Sequence, residues 1–118
     1  MSDFATRRRM MVDTQVRPSD VTKFPIIDAM LSIPREVYVP SEKREAAYMD
    51  GEVALGGGRV LLEARSFAKL LDALTIDTDD LVLDVACGHG YSTAVLAHMA
   101  AAVVGVESDA EMAEIAQS

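Results

Sequence analysis

The run from Leu81 to Ser108, LVLDVACGHGYSTAVLAHMAAAVVGVES, constrains this chain more than any other stretch. Leu81, Val82, Leu83, Val85 and Ala86 are nearly continuous apolar residues, the pattern of a strand covered on both faces. Cys87-Gly88-His89-Gly90 then forms a tight turn, and Tyr91 to about Met99 reads as a helix with Val95 and Leu96 toward a core. Ala102 to Val106 repeats the buried-strand pattern and ends in Glu107. Strand, glycine turn, helix and acid-tipped strand, in that order, make half of a Rossmann-like unit with a parallel sheet.

The glycines let a ligand approach the backbone, and the helix start offers oriented N–H groups. Asp84 and, 23 residues later, Glu107 are expected to converge at the carboxyl edge of the sheet. In a dinucleotide fold the second acid accepts from ribose hydroxyls. Here the turn reads Ala86-x-Gly88-x-Gly90 and lacks the third glycine of a phosphate loop. Asp84 also sets a negative charge beside the place of a pyrophosphate, which suits a cation better. S-adenosylmethionine, with its sulfonium and ammonium groups, fits that space; a dinucleotide and a ligand-free structural unit are the alternatives. His89 either touches ligand or occupies an exposed turn. Cys87 reads as a small buried side chain and His98 as helix surface or edge.

The 118 residues allow one domain, in two parts: a helical cap with a glycine turn over 1–58, and the beginning of the Rossmann-like unit over 59–118. All four prolines (Pro18, Pro25, Pro34, Pro40) break the cap into short pieces. Asp3 to about Val16 reads as a helix ended by Pro18, with Arg7–Arg9 as solvated surface. A second helix over Phe24–Ile33 presents Phe24, Ile27, Met30 and Leu31 at helical spacing, and Ser41 opens another helical turn ending near Tyr48. The cap has too little core to stand alone. Gly56–Gly58 make a sharp turn or a binding loop after an extended run over 52–55. Leu62–Leu74 reads as an amphipathic helix with Phe67, Leu70, Leu71 and Leu74 on its stripe, and 76–80 turns the chain. Met10, Met11, Met30, Met49, Met99 and Met112 read as gap-fillers in packed regions.

Charge and composition exclude several classes. A formal net charge of −8 argues against nucleic acid as the main partner. No apolar run is long enough to span a bilayer, and the start MSDF, with Arg7–Arg9 soon after, lacks the apolar core of a signal peptide. A single cysteine excludes a disulfide framework, is a poor start for a zinc site, and fits the cytoplasm.

Taken in order, MVDTQVRP, FPIIDAMLSIPREVYVP, AYMDGEVALGGGRVLLEA and LVLDVACGHGYSTAVLA resemble the protein-L-isoaspartate O-methyltransferase family over about 100 residues. The resemblance implies an α/β, Rossmann-like class I methyltransferase fold, here incomplete, with an N-terminal helical cap. It implies S-adenosylmethionine as methyl donor and a damaged protein or peptide, esterified at an isoaspartyl carboxylate, as acceptor. By that likeness Asp84, Gly88, Gly90, Tyr91 and Glu107 would meet the cofactor, with His89 added from the turn itself. The family pattern Gly-x-x-x-Ser-Gln-Pro is Gly58-Arg59-Val60-Leu61-Leu62-Glu63-Ala64 here, so Leu62 replaces the active-site serine and no catalytic side chain is assigned. Glu63 would repel an anionic acceptor unless Arg59 or Arg65 neutralises it. The expected outcome is retained cofactor binding with weak or absent isoaspartyl activity; a non-catalytic S-adenosylmethionine-binding protein or a different acceptor are the alternatives. With two parallel strands before Ser118, the chain reads as a fragment whose open strand edges would self-associate.

Overall fold

The computed structural model describes residues 3–118; Met1 and Ser2, where the stretch judged not to be a signal peptide begins, lie outside the described residues. Asp3 caps the first helix, α1 (Phe4–Met11), accepting from the Thr6 amide at 2.7 Å. The helix does not run unchanged to Pro18. It widens into a π-helical turn over Val12–Val16, tightens into a 3₁₀ turn over Arg17–Ser19, and stops at Asp20 in the left-handed region. The wide turn brings Val12, Gln15 and Val16 inward together.

Pro25 sits in the first turn of α2 (Phe24–Ser32), and Ile33 is extended ahead of Pro34. The buried face of α2 is Ile26, Ile27, Ala29 and Met30, while Phe24, expected on that face, is 74% exposed at the helix start. Two 3₁₀ turns, Arg35–Tyr38 and Ser41–Ala46, carry the chain to a hairpin of β1 (Val53–Gly56) and β2 (Arg59–Leu61). Gly56, Gly57 and Gly58 all have positive φ, so the glycine run makes the hairpin turn.

The next helix, α3 (Ala64–Leu74), starts two residues later than expected, because Leu62 and Glu63 form the link from β2, with Glu63 at the helix cap. Its buried stripe is Ala64, Ala68 and Leu71; Leu70 and Leu74 face outward. The two alanines let α3 lie close to the π turn, which rotates the large leucines 70 and 74 off the contact. Asp77 and Asp80 close the following turn, with the Asp77 amide donating to the Asp80 carboxylate at 2.8 Å.

From there β3 (Leu81–Val85), α4 (Tyr91–Met99) and β4 (Ala102–Val106) form a parallel β-α-β unit in register from Leu81↔Ala102 to Val85↔Val106. The last helix is α5 (Ala110–Gln117), capped by Asp109. Helix α4 covers one face of the strand pair, against which Val82 and Val103 are half-buried. The other face is bare: Leu81, Leu83, Val85, Val104 and Val106 are exposed, contrary to the two-sided burial expected for these strands. Among the described residues no second helix layer reaches that face.

One apolar core spans the cap and the β-α-β unit, joining Met11, Val12, Val16, Ile26, Met30 and Leu71 to Tyr91, Val95 and Met99. Met10 and Met49 are exposed, so only Met11, Met30, Met99 and Met112 among the singled-out methionines fill packed gaps. Nor are Arg7–Arg9 simply solvated. Arg8 is largely buried between Tyr48 and Glu36, and the Tyr48 hydroxyl donates to Glu36. Burial and that carboxylate push the Tyr48 phenol up to about 12. Among the described residues no helix is long and apolar enough to cross a membrane.

The observed stripe of α3 fixes what its leucines contribute. Leu71→Ala should destabilise the protein by about 2–5 kcal/mol, as for a fully buried leucine, and Leu70→Ala by less than about 1 kcal/mol. Urea unfolding of the two variants checks the contrast; equal losses would mean that both leucines pack alike.

Candidate functional site

The turn between β3 and α4 alternates left-handed residues: Ala86 at φ +62°, Gly88 at +60° and Gly90 at +99°. This winding turns the chain back on itself within five residues. The Ala86 and Cys87 amides donate to the Val106 carbonyl at 2.8 and 3.1 Å, which pins the turn to the end of β4. Ala86 is the only one of the three with a Cβ, and for it the left-handed region is strained. A side chain at Gly88 would be tight, and one at Gly90 would be in ordinary contact. A Cβ on Gly88 would lie 3.3 Å from Leu55 of the hairpin, and one on Gly90 3.4 Å from Ala116 of α5.

Glu107 stands at the tip of β4 with its side chain only 1% exposed. Its Oε1 accepts from the Gly88 amide at 2.7 Å and from Arg59 Nη2 at 2.6 Å. Its Oε2 accepts from the Asp109 amide at 3.0 Å and from Arg59 Nη1 at 2.9 Å. The Arg59 hydrogen bonds, followed by the two amides, hold this carboxyl far below the usual carboxylate range, so it is ionised at neutral pH.

Asp84 faces the other way, into the first turn of α4. Its Oδ2 accepts from Ser92 Oγ at 2.6 Å and Thr93 Oγ1 at 2.7 Å. Asp84 is paired in register with Gly105, where a Cβ would come within 2.6 Å of Thr93 Oγ1 and 3.2 Å of Cys87 Sγ. Gly105 therefore lets α4 lie against β4, and Thr93 occupies the space. The sequence alone does not single out Ser92, Thr93 or Gly105, and it offers Arg59 only as a partner for Glu63. Gly105, a lone glycine inside an apolar strand, was the one signal on offer.

His89 is buried, 9% exposed, rather than displayed on an open turn. It borders a cleft of about 610 Å³ shared with Gly56, Gly57, Asp109 and Met112. A second hollow of about 310 Å³ lies between α4 and α5, edged by Cys87, Gly90, Thr93, Glu107 and Ala116. Tyr91 points away from both, into the core. Its ring packs against Tyr38, Phe67 and the Arg35 guanidinium, 5.1 Å from its centroid, and among the described residues its buried hydroxyl has no hydrogen-bond partner. Burial pushes that phenol up, against the nearby Arg35 charge. Arg35, 1% exposed, donates to the Ala47 carbonyl at 2.6 Å and to the Leu62 carbonyl at 2.9 Å. One buried cation thus connects the segment around Leu62 to the helix that follows the glycine turn.

The two arginines considered as partners for Glu63 are engaged elsewhere: Arg59 with Glu107, and Arg65 with Asp50 at 2.6 Å. Glu63 accepts instead from the Ser66 hydroxyl. Among the described residues no three His, Cys, Asp or Glu side chains gather as a metal site. What the residues do offer is a buried anion at a strand tip, a glycine turn against it and two adjoining hollows. Those are the features that hold the ribose end of a nucleoside. By the chemistry of these residues, the ribose of S-adenosylmethionine fits the site.

The family model for protein-L-isoaspartate(D-aspartate) O-methyltransferase (PCMT) matches residues 6–118. The protein-L-isoaspartate O-methyltransferase 2 of Anaeromyxobacter sp. (strain Fw109-5) is 36% identical over 107 residues, which are 91% of this chain and 44% of the relative. That of Methylorubrum extorquens (strain PA1) is 35% identical over 116 residues, 98% of this chain and 51% of the relative. The chain thus spans about half the length of the curated relatives it matches. A solved protein-L-isoaspartate O-methyltransferase superposes with a TM-score of 0.78 at 24% identity, over 93% of this chain and 37% of that one. A putative one from Plasmodium falciparum, in complex with S-adenosyl-L-homocysteine, gives 0.74 at 19% identity, over 99% of this chain and 54% of that one. These likenesses show the fold, part of a Rossmann-like class I methyltransferase.

Strain at the turn is measurable. Ala86→Gly should raise stability by about 0.5–1 kcal/mol, since a left-handed L-residue costs roughly 1–2 kcal/mol and glycine's extra unfolded freedom cancels part of the relief. A lower melting temperature for that variant would show that Ala86 is unstrained in solution.

Proposed function

The chain belongs to the protein-L-isoaspartate(D-aspartate) O-methyltransferase family, and from that premise we propose that the whole protein is an enzyme transferring a methyl group from S-adenosylmethionine to a carboxylate of a protein or peptide. The observation that carries the donor assignment is Glu107, ionised and fixed at the tip of β4 beside the left-handed turn. In this reading Glu107 takes the ribose hydroxyls, Gly88 and Gly90 admit the ligand to the backbone, and His89 lines the adjoining cleft. Asp84 and Tyr91, also assigned to the cofactor, act at one remove. Asp84 fixes the first turn of α4 through Ser92 and Thr93, and Tyr91 anchors that turn in the core.

When bound, S-adenosylmethionine supplies an activated methyl group. The acceptor carboxylate is already ionised at neutral pH, so no residue has to remove a proton. The protein's part is then alignment and exclusion of water. A side-chain donor that orients the acceptor oxygen is worth about 1–3 kcal/mol, and Leu62 provides none. It is 38% exposed, and its carbonyl accepts from Arg35. Glu63, without an arginine, adds a negative charge beside the anionic acceptor. We infer weak isoaspartyl turnover with donor binding retained. Leu62 and Glu63 equally support the second reading: another acceptor, or a protein that binds the donor without catalysis. A lone, half-buried Cys87 and an acidic surface go with a cytoplasmic protein that does not bind nucleic acid.

The bare face of β3 and β4 should make the 118-residue chain self-associate when produced alone. In sedimentation experiments Leu83→Lys with Val104→Lys should shift it toward monomer. A chain that is already monomeric at high micromolar concentration would refute this.

Methylation of an isoaspartyl peptide by the full-length protein tests the acceptor. Turnover should be weak, and Leu62→Ser with Glu63→Gln should raise it roughly tenfold to a hundredfold, at about tenfold per 1.36 kcal/mol. Vigorous turnover by the unaltered protein would refute the weak-activity reading. No gain in the double variant would favour a different acceptor or a non-catalytic role.

A further inference from the structure

Every acceptor position on the Glu107 carboxylate is filled. A carboxylate offers about four lone-pair sites. Here the Gly88 and Asp109 amides take one on each oxygen, and the two terminal nitrogens of Arg59 take the others. A ribose diol therefore finds no vacancy on Glu107 unless one of these donors leaves.

The donors differ in how tightly they are held. The Gly88 amide belongs to the turn pinned to Val106, and the Asp109 amide to the capping residue of α5. Both are parts of the backbone that frames the site. Arg59 is different. It reaches in from the first residue of a three-residue strand, and its side chain is 34% exposed above a carboxylate that is 1% exposed. It follows directly on Gly56, Gly57 and Gly58, all with positive φ and none with an atom within 4 Å of where a Cβ would stand. Among the described residues its guanidinium makes one further hydrogen bond, a long one of 3.3 Å to the Ala86 carbonyl.

We propose that Arg59 is a displaceable latch on the donor site, occupying the two Glu107 positions that the vicinal hydroxyls of the donor's ribose take, and leaving when the nucleoside docks. The exchange balances in hydrogen bonds: two N–H donors leave and two O–H donors arrive, while the backbone amides stay. Arg59 thereby sets the affinity of the site, since each docking nucleoside has to break a bidentate ion pair first. Without a ligand, the same pair neutralises a sequestered carboxylate and ties the hairpin to the turn. The inference rests on the donor-site reading above.

Calorimetric titration of S-adenosylhomocysteine into the full-length protein and its Arg59→Gln and Arg59→Lys variants tests it, with circular dichroism confirming that each is folded. Arg59→Gln should bind roughly two- to fivefold more tightly, the range of a partly exposed ion pair. Arg59→Lys, which keeps the charge without the two-pronged geometry, should lie between. In nitrogen-resolved NMR, the guanidinium signals that vanish in Arg59→Lys should be sharp in the free protein and broaden at saturation. Equal or weaker binding by Arg59→Gln, or sharp guanidinium signals in the saturated protein, overturns the latch and leaves the donor site standing. Failure of all three folded proteins to bind the nucleoside overturns the donor site and the latch together.

Discussion

Three segments distant in sequence meet on one carboxylate, that of Glu107: the hairpin through Arg59, the glycine turn through the Gly88 amide and the start of α5 through the Asp109 amide. The side chain is almost wholly sequestered, and an ionised group held that way is stable only when each lone pair has a donor. Neutralising it strands the guanidinium and two amides, and removing Arg59 leaves a buried charge open to water or ligand. The hairpin, turn and α5 therefore share one electrostatic anchor. Its position is set by the parallel register of β3 and β4, which brings the tip of β4 beside residues 86–90.

The register in turn depends on how closely α4 approaches the sheet. Gly105 leaves room for Thr93, whose hydroxyl, with that of Ser92, is held by Asp84 across the strand pair. On the far side of α4, Tyr91, Val95 and Met99 enter the core built by the N-terminal helices. The cap is thus more than an appendage: its residues supply one wall against which the nucleotide-type unit orders. Arg35 adds a polar connection through that wall, reaching the Leu62 carbonyl while its guanidinium lies over Tyr91.

The β-α-β unit was legible because three local signals agree there: apolar runs of strand length, glycines between them and an acid after the second. The α4 bounds, the parallel pairing and the tip position of Glu107 all follow the pattern read from the sequence. What composition and periodicity hid were choices made by packing. Leu70 and Leu74 satisfy a helical stripe as well as Leu71 does, and only the small size of Ala64 and Ala68 reveals which face docks. Continuous apolar strands implied cover on both sides, yet one side of β3 and β4 is open. Arg59 and Arg65 both looked available to Glu63, because sequence distance says nothing of the ionic partners Glu107 and Asp50 that claim them. Asp84 and Glu107, alike on paper, point to opposite tasks: one positions a helix and the other presents acceptor atoms at the sheet edge.

That division bears on how the fold separates donor from acceptor chemistry. Everything that shapes the donor side (turn, strand tip, helix start) is held by backbone amides, by the Arg59 guanidinium or by the half-buried hydroxyls of Ser92 and Thr93, and none of it involves residues 62 or 63. The segment at 62 and 63 is joined to the donor side through Arg35, which grips the Leu62 backbone and ignores its side chain. A change from a hydroxyl to an isobutyl group at 62 thus leaves that grip intact, as does a charge at 63 that is hydrogen-bonded locally to Ser66. Acceptor-side chemistry can change here without disturbing the scaffold that orders the donor. In the function proposed for the whole protein, that is the physical reason why donor binding and isoaspartyl turnover need not rise or fall together.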